Sequence, residues 1–186
     1  MNLPNVLTLT RVGLSFLLVW LLGLPGLGPK TAALAVFTAA GLTDLWDGRI
    51  ARRRNLISNF GILMDPIADK VLVLFAFIAF MKLRVAPAWM VLLIVARELG
   101  ITLLRMVALA KGQVLPAEAS GKVKAAAQMV TIALTLLFLI ARERFPGGWV
   151  SGAESGVRAL MFLTVLLTLG SGFSFLRKNR KAIFGS

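Results

Sequence analysis

The sequence contains no cysteine, no histidine and no tyrosine. The lack of cysteine excludes disulfides and thiolate metal sites, and the lack of histidine excludes an imidazole-ligated zinc. Any general base must be Asp, Glu or Lys. Acidic residues are scarce as well: there are eight, against 21 Lys and Arg in 186 residues, for a net charge of +13. Such a balance raises nucleic acid as a partner. The basic residues, however, sit in short connections beside apolar runs, as juxtamembrane charge does. No basic stripe interleaved with aromatics and no nucleic-acid motif occurs, so no nucleic-acid partner is expected.

Apolar residues are what the chain has in excess. They make up 58% of it, and the mean hydropathy is +0.85, whereas a soluble domain is about 45–50% apolar by a comparable count. A bilayer-spanning helix needs roughly 17–25 predominantly apolar residues. Six such runs are present: Val6–Leu24, Thr31–Arg49, Gly61–Met81, Pro87–Ala110, Val123–Ala141 and Gly156–Leu176. They predict an all-α integral membrane protein with six transmembrane helices, forming a single domain over residues 1–186. The first run is followed by "LPGLGPK" rather than by a small-residue cleavage site, so it is expected to be a retained helix, not a signal peptide.

Six spans put both termini on one side. That side would carry Arg11, Arg49, Arg52, Arg53, Arg54, Lys111, Lys122, Lys124, Arg177, Lys178, Arg180 and Lys181, twelve cations against five on the other. The excess of positive charge on the inner side of membrane proteins then predicts cytoplasmic termini. The glycine- and proline-rich segments "GLPGLGP" (Gly23–Pro29) and "FPGGW" (Phe145–Trp149) read as turns on the far side. Pro87 suits the first turn of the fourth helix, and Trp89 suits an interfacial anchor.

Half of the eight acidic residues fall between Asp44 and Asp69. Asp44 and Asp47 are three apart and Asp65 and Asp69 four apart, so each pair shares a helix face. Both pairs lie at the expected cytoplasmic ends of the second and third helices. Four carboxylates gathered beside lipid repel one another and demand cations. With oxygen donors only, the fitting ions are Mg²⁺ or Mn²⁺, with Ca²⁺ as a possible substitute. Two hard divalent ions suit displacement at phosphorus. Gly48 and Gly61 would permit close approach of a nucleotide or a backbone, and Arg52, one turn after Gly48, suits a bidentate phosphate contact. Simple salt bridges of the aspartates to Arg49, Arg52 or Lys70 are the plainer reading, and four carboxylates on two faces exceed what it needs.

The run Asp44-x2-Asp47-Gly48-x2-Ala51-Arg52-x8-Gly61-x3-Asp65-x3-Asp69 resembles the signature of the CDP-alcohol phosphotransferases at all eight fixed positions. The resemblance implies that fold, an enzyme, and membership among homodimers of a bacterial cytoplasmic membrane with the active site facing the cytoplasm. It implies that Asp44, Asp47, Asp65 and Asp69 hold two divalent cations, Mg²⁺ or Mn²⁺, with Asp69 also the catalytic base. Gly48, Ala51, Arg52 and Gly61 would contact the CDP group. The lipid substrate would be CDP-diacylglycerol, attacked by an acceptor alcohol with loss of CMP.

Three further segments, "NLPNVLTLTR", "ARELGITLLR" and "GKVKAAAQM", are similar to those of family members whose acceptor is sn-glycerol 3-phosphate. A phosphorylated acceptor needs cations. Arg97 and Arg105, eight apart on one apolar helix, together with Lys122 and Lys124, would form its phosphate pocket. Glu98 would orient an arginine, and Thr102, one turn on, would add a hydroxyl. Asn5, Thr8 and Arg11 read equally as substrate contacts or as helix-start and interfacial residues. Lys122 and Lys124 also read as topology-setting charge, and Arg97–Glu98 as a structural pair. Ala125 departs from the family pattern, in which a threonine commonly follows the lysines. Family members with another acceptor (inositol phosphate, serine or phosphatidylglycerol) are the nearest alternative. A divalent-cation transporter is the rival of another class, although no second acidic layer continues across the membrane. A scaffold bound to anionic lipids leaves the aspartates unexplained.

Overall fold

The computed structural model describes residues 3–54, 59–113, 115 and 119–180, and the side chains of 3–8 and 44–69 lie outside what it describes. Among the described residues every element is a helix: α1 (Leu3–Gly23), α2 (Leu27–Arg54), α3 (Asn59–Lys82), α4 (Ala88–Ala110), α5 (Ala119–Arg144) and α6 (Trp149–Lys178). Each corresponds to one of the six apolar runs.

The ends have local causes. Pro29 falls in the first turn of α2, where its missing N–H removes no helical bond. Lys30 is buried and donates from Nζ to the carbonyls of Leu22, at 2.5 Å, and Leu24, at 2.9 Å. It thereby satisfies acceptors that the end of α1 leaves open. Pro87 precedes the first turn of α4 rather than joining it. Gly112 adopts φ 75° just past α4, while the Gln113 N–H reaches back to the Ala108 carbonyl at 2.9 Å. That left-handed position is why glycine ends the helix there.

The helices touch in the closed circuit α1, α3, α4, α6, α5, α2 and back to α1, with α3 also meeting α2 and α5. The apolar core is built from Leu18, Leu22, Phe37, Phe77, Phe80, Ile94, Ile132, Leu136, Leu139 and Met161. Ala33, Ala40, Ala76 and Ala79 are buried in it, the small residues that let helix backbones approach closely.

Outside this core, polarity is inverted relative to a water-soluble bundle. Phe16, Trp20, Leu92, Leu103, Val130, Leu137, Phe162, Leu166 and Phe173 are exposed. Ser15, Glu98, Lys124, Gln128, Thr131, Thr135, Thr164, Thr168 and Ser171 are buried. Apolar side chains outside and satisfied polar groups inside are what a lipid solvent selects. Two helices, α5 with 26 residues and α6 with 30, are long and apolar enough to cross a membrane among the described residues. The apolar part of α1, Leu9–Gly23, is shorter, and α4 carries Arg97, Glu98 and Arg105 along its run.

Candidate functional site

A cavity of about 670 Å³ opens between α2, α3, α4 and α5. Its walls are mostly apolar, from Phe37 and Leu42 on α2, Val73 on α3, and Met129 and Ala133 on α5. Its polar lining is Lys70, Glu98, Lys124 and Gln128, with Thr38 at one side. The cavity reaches Leu42 on α2 and Lys70 on α3. In sequence, Leu42 stands two residues before Asp44, and Lys70 directly follows Asp69.

Glu98 is the hub. Its side chain is 2% exposed, and both carboxylate oxygens are engaged. Oε2 pairs with Lys70 Nζ at 3.3 Å. Oε1 takes Arg97 Nη1 at 3.2 Å and Gln128 Nε2 at 3.2 Å, and it also pairs with Lys124. The Glu98 carbonyl accepts from Thr102 Oγ1 at 2.7 Å and from Lys70 Nζ at 3.3 Å, and Lys70 also donates to the Thr102 hydroxyl. Three helices, α3, α4 and α5, thus converge on one carboxylate. Three cations share that single anion, so among the described residues the cluster keeps an excess of two positive charges. A charge excess away from bulk water is costly without a counter-charge. Beside an open cavity such an arrangement can receive an anion, and a phosphate would match it in charge and in acceptor number.

Behind Glu98, the cluster continues into α6. Arg97 Nη2 donates to Ser171 Oγ at 2.6 Å, and Gln128 Nε2 to Thr168 Oγ1 at 3.4 Å. Thr131 and Thr164 join their hydroxyls at 2.7 Å one turn farther along the α5–α6 seam.

The residues singled out in the sequence fall into three groups. Glu98, Thr102, Arg97 and Lys124 come together. Of these, Glu98 and Lys124 line the cavity, and Arg97 lies on the α6 side of Glu98. Arg105 and Lys122 stand apart: Lys122 is exposed, and the Arg105 guanidinium lies 5.0 Å from the centre of the Phe175 ring. Arg97 and Arg105 do share a face, but it meets α6, at Ser171 and Phe175, rather than the cavity. In the third group, Asp44, Asp47, Gly48, Ala51 and Arg52 belong to the C-terminal part of α2, and Gly61, Asp65 and Asp69 to the first part of α3. Their side chains, with those of Asn5 and Thr8 in α1, lie outside the described residues. Arg11 is buried, and its carbonyl accepts from Ser15 Oγ at 2.8 Å.

Sequence reasoning missed Lys70, Gln128, Thr168 and Ser171 as members of the cluster. The sequence offers Lys70 only as a partner for the aspartates, and the structure joins it to Glu98 and Thr102. A lone amide such as Gln128 in an apolar run was a usable signal, because a buried amide needs partners.

A family model described as CDP-alcohol phosphatidyltransferase matches residues 1–170. A Bacillus subtilis (strain 168) protein named CDP-diacylglycerol–glycerol-3-phosphate 3-phosphatidyltransferase is 35% identical, over 98% of this chain and 97% of its own length. A protein of the same name from Escherichia coli (strain K12) is 38% identical, over 96% of this chain and 95% of its own. A Mycobacterium tuberculosis (strain ATCC 25618 / H37Rv) relative, named "Probable phosphatidylglycerophosphate synthase", is 43% identical over 99% of this chain and 84% of its own.

Proposed function

The chain belongs to the CDP-alcohol phosphatidyltransferase family, and from that premise we propose that it transfers the phosphatidyl group of CDP-diacylglycerol to sn-glycerol 3-phosphate, giving phosphatidylglycerophosphate and CMP. The observation that carries the choice of acceptor is the surplus of positive charge around Glu98, among the described residues, at the cavity. Serine, a zwitterion with one carboxylate and no net charge, would answer that surplus less fully than a phosphate. The relatives named for the glycerol-3-phosphate reaction support the same acceptor.

In this reading the acceptor phosphate is held by Lys70 and Lys124, which Glu98 keeps in place. The acceptor hydroxyl gives its proton to the Asp69 carboxylate as its oxygen bonds to the phosphorus bearing the diacylglycerol. The bond from that phosphorus to the CMP oxygen breaks, and CMP leaves with the electron pair. Gly48, Ala51, Arg52 and Gly61 bind the CDP group. The apolar cavity walls suit the lipid part of the donor. Asp44, Asp47, Asp65 and Asp69 offer hard oxygen donors and no sulfur or imidazole, a set that fits two Mg²⁺ or Mn²⁺ ions. When bound, such ions neutralise phosphate oxygens and stabilise charge on the attacking and leaving groups.

The same reading makes all six helices membrane-spanning, with both termini and the aspartates on the cytoplasmic side of a bacterial membrane. Twelve cations against five support that orientation. The homodimer implied by the family resemblance belongs to it as well.

An acceptor panel tests the proposal. Purified protein with CDP-diacylglycerol and Mg²⁺ is expected to release CMP with glycerol 3-phosphate, and mass spectrometry of the lipid is expected to give phosphatidylglycerophosphate. Inositol phosphate, serine and phosphatidylglycerol should give background release. CMP release with serine and none with glycerol 3-phosphate overturns the assignment.

A further inference from the structure

The turn of α6 from Thr168 to Gly172 touches two of the groups that converge on Glu98, although it lines no part of the cavity. We infer that Ser171 and Gly172 are positioning residues for recognition of the acceptor phosphate, acting through Arg97 and Glu98 on the lysines that face the cavity. The inference rests on the acceptor assignment above and extends it to a helix that contributes no ligand of its own.

The hydrogen bonds have a direction. Ser171 Oγ donates to the Thr168 carbonyl at 3.2 Å. Its proton is therefore committed to its own helix, and its lone pairs are turned to accept from Arg97 Nη2 at 2.6 Å. A serine hydroxyl in this state offers only lone pairs to Arg97, and its bond to Nη2, with that of Nη1 to Glu98, fixes the plane of the guanidinium. That plane presents Nη1 to Glu98 Oε1. From the same turn, Thr168 Oγ1 accepts from Gln128, whose amide donates to the same Glu98 oxygen. Glu98 is thus held by two donors that α6 orients, and it in turn holds Lys70 and Lys124.

Gly172 sets the distance. A Cβ added there would lie 3.2 Å from both Cγ and Nε of Arg97. The arginine stem passes over this glycine, and a methyl group would push it by a few tenths of an ångström. The Nε atom is also buried, with no acceptor among the described residues. The side chain is therefore kept in place by Ser171, Glu98 and the fit against Gly172. A long cation held at so few points is sensitive to each of them, and a small displacement of a binding group is felt as weakened substrate binding.

The test compares Ser171→Ala, Ser171→Thr and Gly172→Ala in the full-length protein, with KM measured separately for each substrate. Ser171→Ala removes the acceptor for Arg97 and is expected to raise KM for glycerol 3-phosphate roughly tenfold, as loss of a charge-assisted hydrogen bond does. KM for CDP-diacylglycerol and kcat at saturation should stay within about twofold. Gly172→Ala should shift KM in the same direction. Ser171→Thr keeps the hydroxyl and should recover most of the loss. Thermal unfolding in detergent accompanies each variant, because a merely structural role would lower Tm and disturb both substrates together. Equal changes in both KM values overturn the inference, as does a glycerol 3-phosphate KM that stays within twofold in Ser171→Ala. Wild-type protein that releases no CMP with glycerol 3-phosphate overturns the acceptor assignment, and this inference with it.

Discussion

Glu98→Ala is expected to destabilise the protein by about 3–5 kcal/mol, the cost of removing one partner from a buried ion pair, and to abolish use of glycerol 3-phosphate. The size follows from what is left behind. Lys70, Arg97 and Lys124 would lose the carboxylate they share, and the Gln128 amide would keep only its longer bond to Thr168. Arg97 and Lys124 have side chains only 11% and 8% exposed, so water has little access to screen them. Glu98→Gln preserves shape and part of the hydrogen bonding and should fall between wild type and alanine. The exposed pair of Arg158 and Glu154 on α6 is the control. Its removal by Arg158→Ala should cost under about 0.5 kcal/mol, as exposed i,i+4 pairs do. Thermal unfolding in detergent reads all three variants. A Glu98→Ala protein as stable as Arg158→Ala would mean that the cluster is not held together by its carboxylate.

Glu98 also marks the limit of what the sequence reveals. An Arg–Glu pair inside an apolar run is visible as a costly feature that needs an explanation. Its distant partners come from α3 and α5, and Ser171 on α6 joins them through Arg97; no spacing rule connects Lys70, Gln128 and Ser171 to residues 97 and 98. Their meeting depends on the circuit α1, α3, α4, α6, α5, α2, in which sequence neighbours such as α3 and α4 pack together, while α4 and α5 meet through the long side chains of Glu98, Lys124 and Gln128. That order is set by the shapes of packed side chains, which composition and periodicity do not encode. The same gap explains Arg97 and Arg105: their shared face was readable from the spacing, but the helix it meets was not.

Helix positions were far more legible. The fourth run ends at Ala110, as α4 does, because Gly112 takes a left-handed conformation just beyond it. The sixth run begins seven residues late, at Gly156, whereas α6 starts at Trp149. The reason is chemical: "WVSGAESG" has too little apolar content to signal a span, yet nothing in it forbids a helix. Its first turn is fixed by the Val150 N–H bonded to the Gly147 carbonyl at 3.2 Å, and by Trp149 Nε1 donating to the Phe145 carbonyl at 2.7 Å. Hydropathy finds the part of a helix that meets lipid, and the backbone continues past it until its hydrogen bonds run out.

Asp69→Asn is expected to lower kcat by about 10²–10⁴-fold, the range attributed to a positioned general base, while leaving much of the affinity for CDP-diacylglycerol. Amide and carboxylate have nearly the same shape, so the variant removes proton acceptance and one anionic ligand with little steric change. Metal removal separates those two roles. EDTA should abolish turnover of the wild-type protein, and added Mg²⁺ or Mn²⁺ should restore it. If Asp69 serves only as a ligand, raising the metal concentration should bring Asp69→Asn back toward the wild-type rate. If it is the base, saturating metal should leave the rate low, and Asp44→Asn should show the opposite pattern: a higher metal requirement with partial recovery. A wild-type rate unchanged by EDTA would remove the two-metal reading altogether. A rate for Asp69→Asn within a few-fold of wild type at ordinary metal concentration would move the base elsewhere. With no histidine in the chain, the groups left for it are another carboxylate or a lysine, and Lys70, next in sequence and in contact with Glu98 and Thr102, would be the first to examine.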